Sequence, residues 1–193
     1  MRGYDLIILQ YGLNVMSADV LHYGSYEKAF IKVINYMKRC FPNSSILVMG
    51  VCDRSTQRDG EFVTMPAVRG MIEAQRNAAR ETGVAFWNTF EAMGGENSMV
   101  EFVRKNWAAK DYTHLGYAGG KFIAGKLVGN WMQGVEAEQQ RRDRIEEERR
   151  KNEMLHYNRN DTIPGTIETE TEAETDSDAD ADTTFTTNEF AQP

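Results

Sequence analysis

In the stretch DYTHLGYAGGK, Asp111 stands three residues before His114, and a glycine-containing run able to start a helix follows. A carboxylate and an imidazole so spaced can act as one unit. The carboxylate orients the ring and stabilises its protonated form, while the ring takes a proton from a nucleophile. Near the other end of the chain, the run YDLIIL leads into Gly12-Leu13-Asn14, which places a side-chain amide where a strand ends. Each motif also has a plainer reading. Gly12 and Asn14 both tolerate a left-handed turn, and Asp111 suits a helix N-cap with His114 on the surface. The order of the two motifs along one α/β pattern favours the chemical reading.

The elements that must position these residues are legible as patterns. The runs YDLIIL, SILVMGV and VAFW, starting at Tyr4, Ser45 and Val84, lack polar alternation, as strands buried on both faces of a parallel sheet do. A helix is expected over 26–40, with Ala29, Phe30, Val33, Ile34 and Met37 on one stripe, Lys28, Lys32, Asn35 and Lys38 facing away, and Pro42 as its stop. A second is expected over 66–82, with Pro66 at its start, Gly83 at its end, and Val68, Met71, Ile72, Ala78 and Ala79 facing inward. A short helix is expected over 97–105. A longer one over 115–132 should bury Phe122, Ile123, Leu127, Val128 and Trp131. Alternating strands and helices imply an α/β layered domain with crossover connections. In such a sheet, ligands bind beyond the carboxyl ends of the strands. Those ends carry Gly12 and Asn14, then Cys52-Asp53-Arg54, then Asn88, and the Asp111–His114 loop can fold back over the same edge.

Composition narrows the class. The chain has 193 residues, enough for one domain with a sizeable core. Its net charge of -7 is set by residues 161–193, which hold ten acidic and no basic residues; the remainder is slightly basic, at about +3. No clustered Lys/Arg face with interleaved aromatics is present, so a nucleic-acid partner is not expected. No apolar run approaches the roughly 20 residues of a membrane span. The start MRGYDLIILQYGLNVMSA mimics a signal peptide, but Asp5, Gln10 and Asn14 interrupt it, and a buried strand is the better reading; the compartment is left open. Cys40 and Cys52 are expected at opposite ends of a strand and therefore free. His22, His114 and His156 lack zinc spacing, so no zinc site is expected. The expected organisation is a domain over 1–133, a charged solvated helix over 134–160 with i,i+4 pairs such as Glu146/Arg150, and a disordered acidic, Thr-rich tail over 161–193.

The residues resemble a known family. YDLIILQYGLN is similar to the third sequence block of the SGNH, or GDSL-type, hydrolases, and DYTHLGYAG is similar to their last block, Asp-x-x-His followed by glycine. The resemblance covers about residues 4–132. It implies a flavodoxin-like three-layer α/β sandwich and serine-dependent ester hydrolysis without a cofactor. By position, Asn14 becomes the oxyanion donor with Gly12 beside it, Asp111 the orienter and His114 the general base. GVCDRS and FEAMGGENS look like members that remove acetyl groups from carbohydrates, including bacterial peptidoglycan, so the implied substrate is a small-molecule or carbohydrate ester. Relatives of that kind are often exported. Two departures matter. Val15 stands where the family usually has Asp. The Gly-Asp-Ser block and a second glycine block belong upstream of block three, so the resemblance implies a fold truncated at its N-terminus, a nucleophile outside this chain and a missing upstream segment as a partner. Ser17, Ser25, Ser44, Ser45, Ser55, Ser98 and Ser177 lack a nucleophile's strand-to-helix setting, with Ser25 expected as a helix cap. The alternatives are a non-catalytic binding remnant of the fold, or Cys52 as a thiol nucleophile.

Overall fold

A computed structural model describes residues 3–160; the tail 161–193, expected to be disordered, lies outside the described residues. The described part of Met1–Asp143 forms one compact unit. Its three apolar runs become β1 (Leu6–Leu9), β2 (Ser45–Met49) and β5 (Ala85–Trp87), a parallel sheet of order β1-β2-β5. The register pairs Leu6 with Ser45 and Leu9 with Val48, then Leu47 with Ala85 and Met49 with Trp87. All three carboxyl ends therefore share one edge.

Helices cover both faces of the sheet. α1 (Gly24–Cys40) and α2 (Ala67–Thr82) lie on one side, where Phe30, Ile34, Ala78 and Ala79 pack with Leu9, Ile46 and Val48. On the other side, Met49 and Trp87 meet Met99 and Phe102 of α4 (Ser98–Arg104) and Ile123 of α5 (Tyr117–Asn160). The period-two alternation of β2 sends neighbouring side chains to opposite layers. Val48, Ile34, Met71, Val68 and Met99 are fully buried, each a gain of about 1.5–3 kcal/mol. α2 follows its sequence pattern closely, with Pro66 just before it and Gly83, at φ 67°, closing it in the left-handed region.

Four expectations are corrected. Ala29 and Val33 of α1 are exposed although they continue the apolar stripe, because among the described residues no element covers the side of α1 beyond β1. Ser25 lies within the first turn of α1, and the helix has no side-chain N-cap. Val128 and Trp131 of α5 are exposed. α5 also runs through Gly134 without a break, since a lone helical glycine costs only about 1 kcal/mol. The described residues of Arg144–Pro193 are helical and solvated, with Glu146/Arg150 and Glu147/Lys151 pairs at i,i+4.

Three elements were not foreseen, one helix and the two strands of a hairpin. α3 (Thr89–Met93) follows β5 directly, capped by the Asn88 side chain accepting from Glu91 N–H. The strands β3 (Ser55–Arg58) and β4 (Glu61–Thr64) form an antiparallel hairpin. Its turn residues Asp59 and Gly60 both have positive φ, 53° and 85°, as a tight two-residue hairpin turn requires.

Candidate active site

Residues 107–116 form a closed loop. Gly116 N–H donates to the Trp107 carbonyl at 2.8 Å, Ala109 N–H donates to the His114 carbonyl at 2.8 Å, and Ala108 bridges to Leu115. A Cβ at Gly119 would collide with the Trp107 carbonyl, so the first turn of α5 packs against the loop base only because that residue is glycine. At the loop tip the chain reverses through Tyr112, at φ 54°.

That reversal folds the Asp111 carboxylate over its own loop. Oδ1 accepts from Thr113 N–H at 2.9 Å and His114 N–H at 3.0 Å, while Oδ2 lies 2.7 Å from His114 Nδ1. The ring bond, followed by the two amides, holds the Asp111 carboxyl well below the usual carboxylate range, at about 2. An ionised carboxylate only accepts, so Nδ1 carries the proton and Nε2 of the neutral ring is the free base. α5 begins at Tyr117, well beyond Asp111, which is therefore not its N-cap. The His114 side chain is 65% exposed and its Nε2 faces no described partner, leaving it accessible.

Gly12 and Asn14 lie at the end of β1. Gly12, at φ 108°, opens a single 3-10 turn over Leu13–Val15, which carries Asn14. A Cβ on Gly12 would sit 3.0 Å from Gln75 Nε2 and 3.1 Å from Met71 Sδ, so this turn admits only glycine without strain. Asn14 is exposed and lines a groove of about 570 Å³ together with Gly12, Tyr26, Phe30, Val33 and Cys52. Asp111 and His114 do not line this groove.

Of three consecutive residues after β2, one anchors α4 and the next two tie the motifs to adjoining positions. Asp53, fully buried at the end of β2, accepts from Met99 N–H at 2.8 Å and so anchors α4; burial pushes its carboxyl pKa up. Arg54 Nη1 donates to the Leu13 and Met16 carbonyls at 3.1 and 3.4 Å, pinning the Asn14 turn. Ser55 N–H donates to the Tyr112 carbonyl at 3.0 Å, pinning the Asp111–His114 loop. The oxyanion candidate and the base candidate thus hang from neighbouring backbone positions at the same sheet edge.

Sequence reasoning missed Gln75, which is fully buried. Its Oε1 accepts from Val51 N–H at 2.9 Å, and its Nε2 donates to the Tyr11 carbonyl at 2.6 Å and reaches Tyr26 Oη at 3.2 Å. The signal was available, because position 75 falls on the inward stripe of α2, where a glutamine has to be satisfied. Cys52, the alternative thiol nucleophile, is 5% exposed, and burial pushes its pKa up to about 11, which leaves almost no thiolate at neutral pH. Ser55 is buried on β3, and among the described residues no serine hydroxyl bonds the His114 ring.

Known structures share this arrangement of elements. The likeness includes an acetylesterase. One similar structure is of a peptidoglycan O-acetylesterase, 25% identical, with a TM-score of 0.57, covering 68% of this chain and 37% of that one. The chain thus spans little more than a third of that protein's length. A protein from Lactobacillus plantarum is similar at 16% identity and a TM-score of 0.54, covering 67% of each chain. No family model matches the chain, and no curated protein does.

Proposed function

We propose that this chain carries the base and oxyanion half of an SGNH-type serine esterase acting on O-acetylated carbohydrate. The reading is carried by the 2.7 Å bond between an ionised Asp111 and His114 Nδ1, which leaves Nε2 free. The likeness to a peptidoglycan O-acetylesterase supports the reaction class. The serine comes from a segment outside this sequence that pairs with the open edge of β1, one of the two edge strands of the described sheet.

In the reaction, Nε2 takes the serine proton as Oγ attacks the acetyl carbonyl. Asp111 stabilises the imidazolium, and the Asn14 amide with backbone N–H groups holds the tetrahedral oxyanion. As the intermediate collapses, Nε2 returns the proton to the departing sugar oxygen and an acetyl-serine remains. Water then attacks, again giving its proton to Nε2, and acetate leaves with the serine restored. The test is acetate release from O-acetylated glycan fragments by the chain joined to a serine-bearing segment. Release by the joined protein, lost in His114→Ala, supports the proposal; no release despite binding of the glycan overturns it.

A second reading, a binding module of the same fold without hydrolysis, is favoured by one observation: no serine reaches the His114 ring among the described residues. It predicts that outcome of binding without release.

A further inference from the structure

The β3–β4 hairpin lies outside the parallel sheet, yet two of its residues touch the loop that carries His114. Phe62 of β4 stacks on Tyr112, with ring centroids 3.7 Å apart and planes 9° from parallel. β3 supplies the backbone bond from Ser55 N–H to the Tyr112 carbonyl, at 3.0 Å. Tyr112 is thus held by side chain and main chain at once, both from the same hairpin.

Tyr112 needs holding. Its φ of 54° lies in the left-handed region, unfavourable for a bulky residue without local compensation. The whole carboxylate arrangement depends on that reversal, because only there does Asp111 Oδ1 reach the Thr113 and His114 amides while Oδ2 reaches the ring. The hairpin is itself firmly based. Met65 N–H donates to the Arg54 carbonyl at 2.7 Å, and Thr64 and Asn97 exchange bonds, Thr64 N–H to Asn97 Oδ1 at 3.0 Å and Asn97 N–H to Thr64 Oγ1 at 2.7 Å. At the other end, the Asp59-Gly60 turn fixes the register that places Phe62 opposite Gln57.

We propose that the β3–β4 hairpin is the clamp that positions His114, with Phe62 as its positioning residue acting through Tyr112. The catalytic meaning of the clamp rests on the esterase reading; the positioning does not. Phe62 touches no reacting atom. It holds the backbone reversal, the reversal presents the carboxylate, and the carboxylate fixes which ring nitrogen bears the proton.

The test reads the tautomer directly. In the full chain labelled with 15N-histidine, at about pH 9 and so well above the ordinary imidazole range, the two ring nitrogens of His114 should show widely separated resonances, Nδ1 protonated and Nε2 bare. Assignment comes from the signals lost in His114→Gln. Phe62→Ala should bring the two resonances toward a tautomer-averaged position, and Phe62→Tyr, which keeps the ring face, should restore the separation. If Phe62→Ala does not fold, Phe62→Leu keeps much of the apolar volume without the stack and should give the same convergence. A wild-type separation in a folded Phe62→Ala or Phe62→Leu variant overturns the clamp. Because this readout needs no substrate, it stands apart from acetate release: an inactive enzyme with a Phe62-dependent tautomer would refute the esterase and keep the clamp.

Discussion

Asp111 makes three hydrogen bonds with one loop, and a fixed tautomer of His114 is their consequence. The sign of the pH dependence follows from its lowered pKa. A carboxylate whose folded pKa is depressed stabilises its surroundings above the ordinary carboxylate range, and that contribution is lost as pH falls through the folded value. The amide resonances of Thr113 and His114 should therefore show no carboxylate step near pH 4, where a free aspartate titrates, and show that step only as the pH approaches about 2. Movement at the ordinary Asp position would show that the three bonds do not hold in solution. Asn14 has a different role. In the proposed reaction its exposed amide meets the charge that develops on the oxyanion, so in the assembled enzyme Asn14→Ala should cost about 3 kcal/mol of transition-state stabilisation, felt in kcat. A loss confined to KM would remove Asn14 from the oxyanion hole.

Among the elements, α2 sets the geometry beneath the site through Gln75, which joins the ends of β1 and β2 to Tyr26 of α1. Gln75→Leu leaves Val51 N–H and the Tyr11 carbonyl without partners, at about 1–3 kcal/mol for each buried group. The denaturant midpoint should fall by the equivalent of about 3 kcal/mol at unchanged slope; a loss below about 1 kcal/mol would mean that water replaces the amide. The strands β1, β2 and β5 and the helices α1 and α2 were legible as unbroken apolar runs and helical stripes, although burial on both faces holds along the middle of β2 and not at Ile8 of β1 or Ala85 of β5, which are exposed. The Asp111–His114 pair was legible because its partners are three residues apart. The hairpin was not: β3 reads Ser-Thr-Gln-Arg, with no apolar alternation to flag it, and the Asp59-Gly60 turn was the one available signal. What Arg54, Ser55 and Phe62 hold escaped for another reason, although the strand-end position of Arg54 was legible. Their work is done through partners 41, 57 and 50 positions away, pairings that no local period encodes.

For the unit Met1–Asp143 as a whole, the open edge of β1 decides behaviour. Ile8 on that strand is 45% exposed on the face away from α1, and Val33 of α1 is 40% exposed, so apolar side chains stand uncovered on both the strand and the helix. An unpaired apolar edge recruits other chains. The chain alone should sediment as associated species and bind a dye for exposed apolar surface, and pairing β1 with the proposed serine-bearing strand should suppress both. A sharp monomer that binds no dye would show that the edge needs no partner. Such pairing would also bring the serine to the sheet edge that carries Asn14 and His114, so turnover should appear together with the monomer. The direct measurement is the turnover of p-nitrophenyl acetate by the chain joined to that strand, set beside the same protein bearing His114→Ala. The account predicts turnover well above a heat-denatured control, reduced by orders of magnitude by the substitution; equal turnover in the two proteins would contradict it.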